Sequence, residues 1–203
     1  MQLPPPVHGA SVVNLNIHNS EYINSKFISK YRDISPAKEL SDLGSLGVKK
    51  ILLTLKIVLL SLYDYIVFKP SLVYLTLSPH GVAFYKDALI LLLLKVFGAD
   101  IVVHLHGKGI SSEVSKSSFK LRIYRIVFKG VSIIHLSENL FSDVAMVRDE
   151  NKLLIAINNG VKDEGEVNFG ESQKLNILYL SSLEKTKGID TLISAVNALD
   201  EGI

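Results

Sequence analysis

The chain has 203 residues, 48% of them hydrophobic and 21% charged, with a formal net charge of +2 and no cysteine. That is enough for one large domain, or a domain and a half, with a sizeable core. So small a net charge, with no basic stripe interleaved with aromatics, excludes an electrostatic nucleic-acid binder, and the absence of cysteine excludes disulfides, thiolate metal sites and thiol nucleophiles and fits a reducing compartment.

The N-terminus, "MQLPPPVHGA", has neither a basic segment nor an apolar run and so does not read as a signal peptide. Three prolines forbid helix there, and a helix is expected from Ser11 through "SVVNLNIHNSEYI". Residues 26–35 read as a short strand, 36–47 as a loop or frayed helix start, and 48–68 as a long helix. A strand follows at 72–77, then a Ser-Pro-His-Gly turn, a helix over 82–97 stopped by Gly98, and a strand in "ADIVVHLHG". The spacing then predicts one helix in "SSEVSKSSFKLRIYRIVFKG", a strand in "VSIIHLS", a helix in "ENLFSDVAMV" and a strand in "KLLIAINNGV". The polar, glycine-punctuated stretch 162–173 reads as a linker. Beyond it "KLNILYLSS" predicts a strand, "LEKTKG" a loop and "IDTLISAVNALDEG" a helix.

Short, continuous apolar strands alternating with helices indicate an α/β fold whose parallel sheet is covered by helices on both faces. The apolar stretches 51–68 and 88–98 read as buried helices rather than membrane spans: the first is interrupted by Lys56 and Asp64 and the second is too short. Association with a membrane surface stays open. In open parallel sheets ligands bind beyond the C-terminal strand ends, which singles out the loops 4–9, 78–81, 106–110, 137–139 and 158–161.

Within those loops, Gly9 precedes a helix whose free N–H groups can receive an anion, or it simply makes a tight turn. His104 and His106 are two apart and share a strand face. No third ligand has suitable spacing, so no metal site is expected. His104 reads as a strand residue satisfied by a neighbour, whereas His106 stands at the strand edge, where a side chain can hydrogen-bond a ligand or move a proton. His80 occupies a similar edge and reads equally as an exposed turn residue. His8 lies in the first loop, and His18 and His135 read as structural. Lys187, just ahead of a helix N-terminus, suits a diphosphate or is one of a solvated lysine pair.

The order of segments resembles that of the retaining glycosyltransferases of family 4, which have the GT-B fold of two facing Rossmann-like domains. The resemblance is carried by "PPPVHGAS", "VVHLHGKG", "IIHLSENLFSDV", "INNGV" and "ILYLSSLEKTKGIDTLISAV". It implies an acceptor-side Rossmann-like domain over 1–161, the linker 162–173, and the start of a donor-binding domain over 174–203, cut off after its first strand, loop and helix. It further implies that His106 lines the reaction centre as the catalytic residue, that Gly9, Ser182 and Lys187 hold the donor phosphates, and that His80, Gly107 and Ser137 line the cleft. The donor would be a nucleoside diphosphate sugar and the acceptor a growing bacterial polysaccharide or lipid-linked saccharide. No cofactor and no obligatory metal would be needed. The location would be cytoplasmic, at or near the inner face of the membrane.

Three departures accompany the likeness. Ser181 and Ser182 stand where the family often has Gly-Arg, no strand precedes Pro4, and the chain ends before the family's acidic motif. The expectation is therefore a piece of a longer enzyme, inactive by itself, with a non-catalytic sugar- or nucleotide-binding module as the alternative.

Overall fold

The structure, a computed structural model, describes residues 1–35, 48–160, 165, 177–181, 183 and 187–199. Contacts divide the chain into two compact units, Met1–Val161 and Lys162–Ile203.

The first unit is built on four parallel strands, β1 (Val73–Thr76), β2 (Ile101–Leu105), β3 (Ser132–His135) and β4 (Leu154–Ala156), lying side by side in chain order. Helix α4 (Gly81–Val96) connects β1 to β2; α5 (Ile110–Ser115) and α6 (Ser118–Phe128) connect β2 to β3; a 3-10 turn (Glu138–Leu140) and α7 (Phe141–Val144) connect β3 to β4. This is an α/β architecture consistent with a Rossmann-like fold. The register pairs Leu75 with Val103, Val103 with Ile133 and Leu105 with His135, so these side chains share one face. On that face Leu75, Val103, Leu105 and Ile133 are buried and form the core together with Phe84, Leu91 and Leu94 of α4, Ile110 and Val114 of α5, Tyr124, Val127 and Phe128 of α6, and Val144 of α7. Tyr124 stacks on Phe84 with ring centroids 3.8 Å apart.

The opposite face differs from the two-sided cover expected. It carries Tyr74, Thr76, Val102, His104, Ser132, Ile134 and Ile155. Near β1 it is covered by α1 (Gly9–His18), whose Asn14 accepts a hydrogen bond from the Thr76 hydroxyl and donates to the Gln2 carbonyl. Further along, Val102, Ser132 and Ile134 are half-buried and Ile155 is exposed. When consecutive strands lie side by side, their crossovers return over the same face, and among the described residues of the first unit it is α1, ahead of β1, that hydrogen-bonds to the second face.

Several helices are shorter than the periodicity predicts, and side chains explain each break. The first ends at His18, and Ser20 then accepts from the Ile23 N–H to start α2 (Glu21–Lys26). Ser117 accepts from the Phe119 N–H and divides the single helix expected over 111–130 into α5 and α6. Ser137 does the same for the 3-10 turn. Serine competes with the helix for backbone donors and favours such starts. Residues 26–35 are not a sheet strand: α2 takes 21–26, and beyond it only the pair of bonds from the Ile34 N–H to the Met1 carbonyl and from the Met1 amino group to the Arg32 carbonyl resembles a ladder.

Helix α3 (Val48–Phe68) corrects a second expectation. It is not a buried helix: among its residues from 51 onward only Val58, Ser61 and Asp64 are buried, while Ile51, Leu52, Leu55, Leu59, Tyr63, Ile66 and Val67 are exposed. By contrast α4 buries Phe84, Ala88, Ile90, Leu91 and Leu94.

In the second unit α8 (Ile189–Asn197) follows Gly188, whose φ of +81° is a left-handed conformation that glycine adopts without strain. The Tyr179 hydroxyl donates to the Lys187 carbonyl. The described residues 177–181 form no strand, and Leu178, Leu180 and Leu183 are exposed. The rest of the anticipated strand, the 36–47 loop and nearly all of the 162–173 linker lie outside the described residues.

Candidate functional site

The C-terminal ends of β1 and β2 meet the N-terminus of α1 at a hollow of about 140 Å³ lined by Gln2, Ala10, Thr76, Leu77, Ser78, Pro79, His106 and Gly107. Its rim explains how local sequence places each group. β2 is a run of β-branched and aliphatic residues that alternates faces, so His104 and His106 emerge on the same side, their rings 4.0 Å apart and inclined by 34°. His104 is buried, and its Nδ1 is 2.6 Å from the Tyr74 hydroxyl on the neighbouring strand. Burial pushes Tyr74 up to about 12, so the phenol is the donor and the imidazole the acceptor. Burial, with His106 and His135 nearby, holds His104 down at about 4.

His106 is half-buried and neither ring nitrogen has a hydrogen-bond partner. Asn159, just past β4, is the side chain whose interaction with the ring raises its pKa. Burial outweighs that interaction, and His8 and His135 add to it, so His106 sits at about 4. The ring is therefore neutral at neutral pH, with one N–H to donate and one lone pair to accept.

On the α1 side, His8 is the N-cap. Its Nδ1 accepts from the Ser11 N–H while the Ser11 hydroxyl accepts from the His8 N–H, a capping box built with histidine. Burial lowers the His8 pKa. Among the described residues the first two helical N–H groups, of Gly9 and Ala10, have no partner, and Ala10 brings the positive end of the helix to the wall of the hollow. A methyl group at Gly9 would meet nothing within 4 Å, so no contact inside the chain requires glycine there.

The N-terminus of α5, by contrast, is occupied by the chain itself. The Asp143 carboxylate accepts from the N–H groups of Gly109, Ile110 and Ser111 and from the Ser111 hydroxyl at 2.9–3.1 Å. Burial alone would raise its pKa, but these donors outweigh burial and hold it below the usual value. Asp143 thus fixes the loop 106–109 that carries His106. Gly109, with φ +137°, packs so closely on His80 that a Cβ would lie 2.7 Å from the imidazole Cδ2. His80 is the exposed N-cap of α4 and makes no side-chain cap bond; its ring braces the two strand-end loops against each other.

The structure thus brings together His106, Gly107 and Ala10 at the N-terminus of α1, with His80 beside them across Gly109; Gly9 starts that helix but is not among the residues lining the hollow. Ser137 is not among the residues lining the hollow and spends its hydroxyl on the Asn139 N–H. Lys187 is exposed in the second unit and is described there alone; Ser182 lies outside the described residues. Sequence reasoning missed Tyr74, Asn159 and Asp143. A tyrosine two residues before Thr76 shares its strand face, so alternation alone would have flagged Tyr74 had the register to His104 been known; nothing local marks Asp143. His135 ends β3 on the opposite, core-forming face, where its Nδ1 accepts from the Leu136 N–H. A larger hollow of about 360 Å³, lined by Phe141, Ser142, Ala145, Arg148 and Leu154, has none of these histidines on its wall. Among the described residues no group of three or more metal-ligating side chains converges.

No family model, curated protein or solved structure matches the chain.

Proposed function

We propose that the first unit is the acceptor-side domain of a retaining glycosyltransferase of GT-B type, which uses a nucleoside diphosphate sugar to extend a saccharide or lipid-linked saccharide, and that the second unit begins the donor-binding domain. The observation that carries this reading is His106: a half-buried, neutral imidazole on the wall of a hollow at the N-terminus of α1, its two nitrogens shielded from solvent and without a hydrogen-bond partner among the described residues. A small turn of the ring toward the hollow would offer a hydrogen bond to a sugar hydroxyl beside a helix start that suits a phosphate oxygen. The hollow is smaller than the roughly 300–1,000 Å³ of whole-ligand pockets, which suits one end of a ligand whose remainder is held elsewhere. Within this reading Gly9 keeps the backbone open to the phosphates, Gly107 and His80 line the acceptor side, and Lys187 and Ser182 meet the diphosphate.

A second reading, a module that binds a sugar or nucleotide without turnover, is favoured by the same ring: at a pKa of about 4 it is a weak base at neutral pH. The two separate by experiment. A panel of nucleoside diphosphate sugars is titrated into the chain while the histidine ring resonances are followed, and each mixture is assayed for release of nucleoside diphosphate with saccharide acceptors. Binding that His106→Ala weakens at least tenfold supports the shared site, and turnover, which a chain that only begins its donor-binding domain is not expected to show by itself, would exclude the module. If no sugar nucleotide binds, or if His106→Ala binds as the parent does, the reading fails.

A further inference from the structure

Helix α3 is amphipathic in the wrong sense for a helix resting on a protein core. The side turned inward carries Thr54, Ser61 and Asp64 beside Ile57, Val58 and Tyr65, and Asp64 is paired there with Lys30 at 2.8 Å and Arg32 at 2.6 Å. The side turned outward carries Ile51, Leu52, Leu55, Leu59, Tyr63, Ile66 and Val67 at 47–63% exposure. At 100° per residue these positions fill one continuous face about 24 Å long. Soluble surfaces rarely leave such a stripe uncovered. One charged side chain, Lys56, shares the outward face; it is exposed and unpaired, and no carboxylate is described on that face.

We propose that this face is a membrane-docking surface, on which α3 lies flat in the headgroup region of an anionic bilayer with its apolar side chains in the acyl boundary and Lys56 extended to the lipid phosphates. Lysine reaches from an apolar face to a charged interface at little cost. Packing two copies face to face would bury a lysine from each with no acid to pair it. The window Ile51–Phe68 is long and apolar enough to span a bilayer. Spanning, however, would tear Asp64 from its two partners and Val58 from the core. The proposal stands on α3 and does not depend on the catalytic reading.

The test is flotation of the full chain with vesicles of 3:1 phosphatidylcholine and phosphatidylglycerol, against phosphatidylcholine alone. The parent chain is expected to float with the anionic vesicles and to be released by salt. Leu55→Glu with Leu59→Glu should weaken binding at least 100-fold, and Lys56→Ala about fivefold. Phe119→Glu, an exposed apolar position on α6, should leave it unchanged. The chain has no tryptophan, so Leu59→Trp gives a single reporter whose emission should shift to the blue on anionic vesicles, which keeps the test decisive should the double variant fold poorly. Absence of flotation, equal flotation of the double variant, or no shift at residue 59 overturns the proposal. A lipid-free dimer dissociated by Leu55→Glu would assign the face to a second copy, and resistance to alkaline carbonate would make α3 a span; either result overturns it as well.

Discussion

His104 and His106 are chemically alike and two residues apart, yet their surroundings give them different work. His104 has a partner in Tyr74 and little exposure; His106 has neither nitrogen bonded. His104→Ala should cost about 1–3 kcal/mol because it takes the imidazole acceptor from the half-buried Tyr74 hydroxyl, and adding Tyr74→Phe should recover part of the loss, measured by denaturant unfolding. His106→Ala should leave stability close to that of the parent and act on ligand binding. Gly109→Ala should destabilise by about 1–3 kcal/mol, since it forces a side chain into a left-handed backbone and against His80. A parent-like unfolding midpoint for Gly109→Ala would show that the loop can move away, and that His80 does not brace it.

At the scale of the elements, the site depends on how helix ends are capped. α1 is capped by His8 and Ser11, and its first two N–H groups have no partner among the described residues; α5 is capped by Asp143 across the sheet edge. Asp143→Ala should cost about 2–4 kcal/mol, because it removes four charge-assisted bonds from a half-buried terminus, and should loosen the loop bearing His106. The readout that separates positioning from bulk stability is amide exchange: protection should fall first at residues 109–111, ahead of α4 and α6. The helix breaks at Ser20 and Ser117 belong to the same physics, since a serine oxygen satisfies backbone donors that would otherwise continue the helix.

For the molecule as a whole, the histidine cluster should make stability pH-dependent. His104 and His106 are held at about 4 in the folded chain, below the ordinary value near 6.5 for an unfolded histidine. The unfolded chain therefore binds more protons between those values. Stability contributed by the neutral rings is fully present above about pH 6.5 and is lost as pH falls toward 4, on the order of 3 kcal/mol for the cluster. Thermal melts from pH 7 to pH 4 should show this fall, and it should be shallower in a chain carrying both His104→Ala and His106→Ala. An equally steep fall in that double variant would assign the acid sensitivity to other groups.

The α/β alternation, the strands 73–76, 101–105, 132–135 and 154–156, and the shared face of His104 and His106 were legible in the sequence, because strand and helix periods are local properties of the chain. So was the placement of His106 at a strand end, which needs only the length of "IVVHL". Three things were decided by tertiary structure. Strand order determines that one face of the sheet takes all the connecting helices, and order is not a local property. The Tyr74–His104 pair depends on register between strands joined by a long crossover. And α3 has the composition of a buried helix, but whether its apolar side turns inward is settled by what it packs against; the ion pairs of Asp64 with Lys30 and Arg32 hold the polar side in and leave the leucines outside.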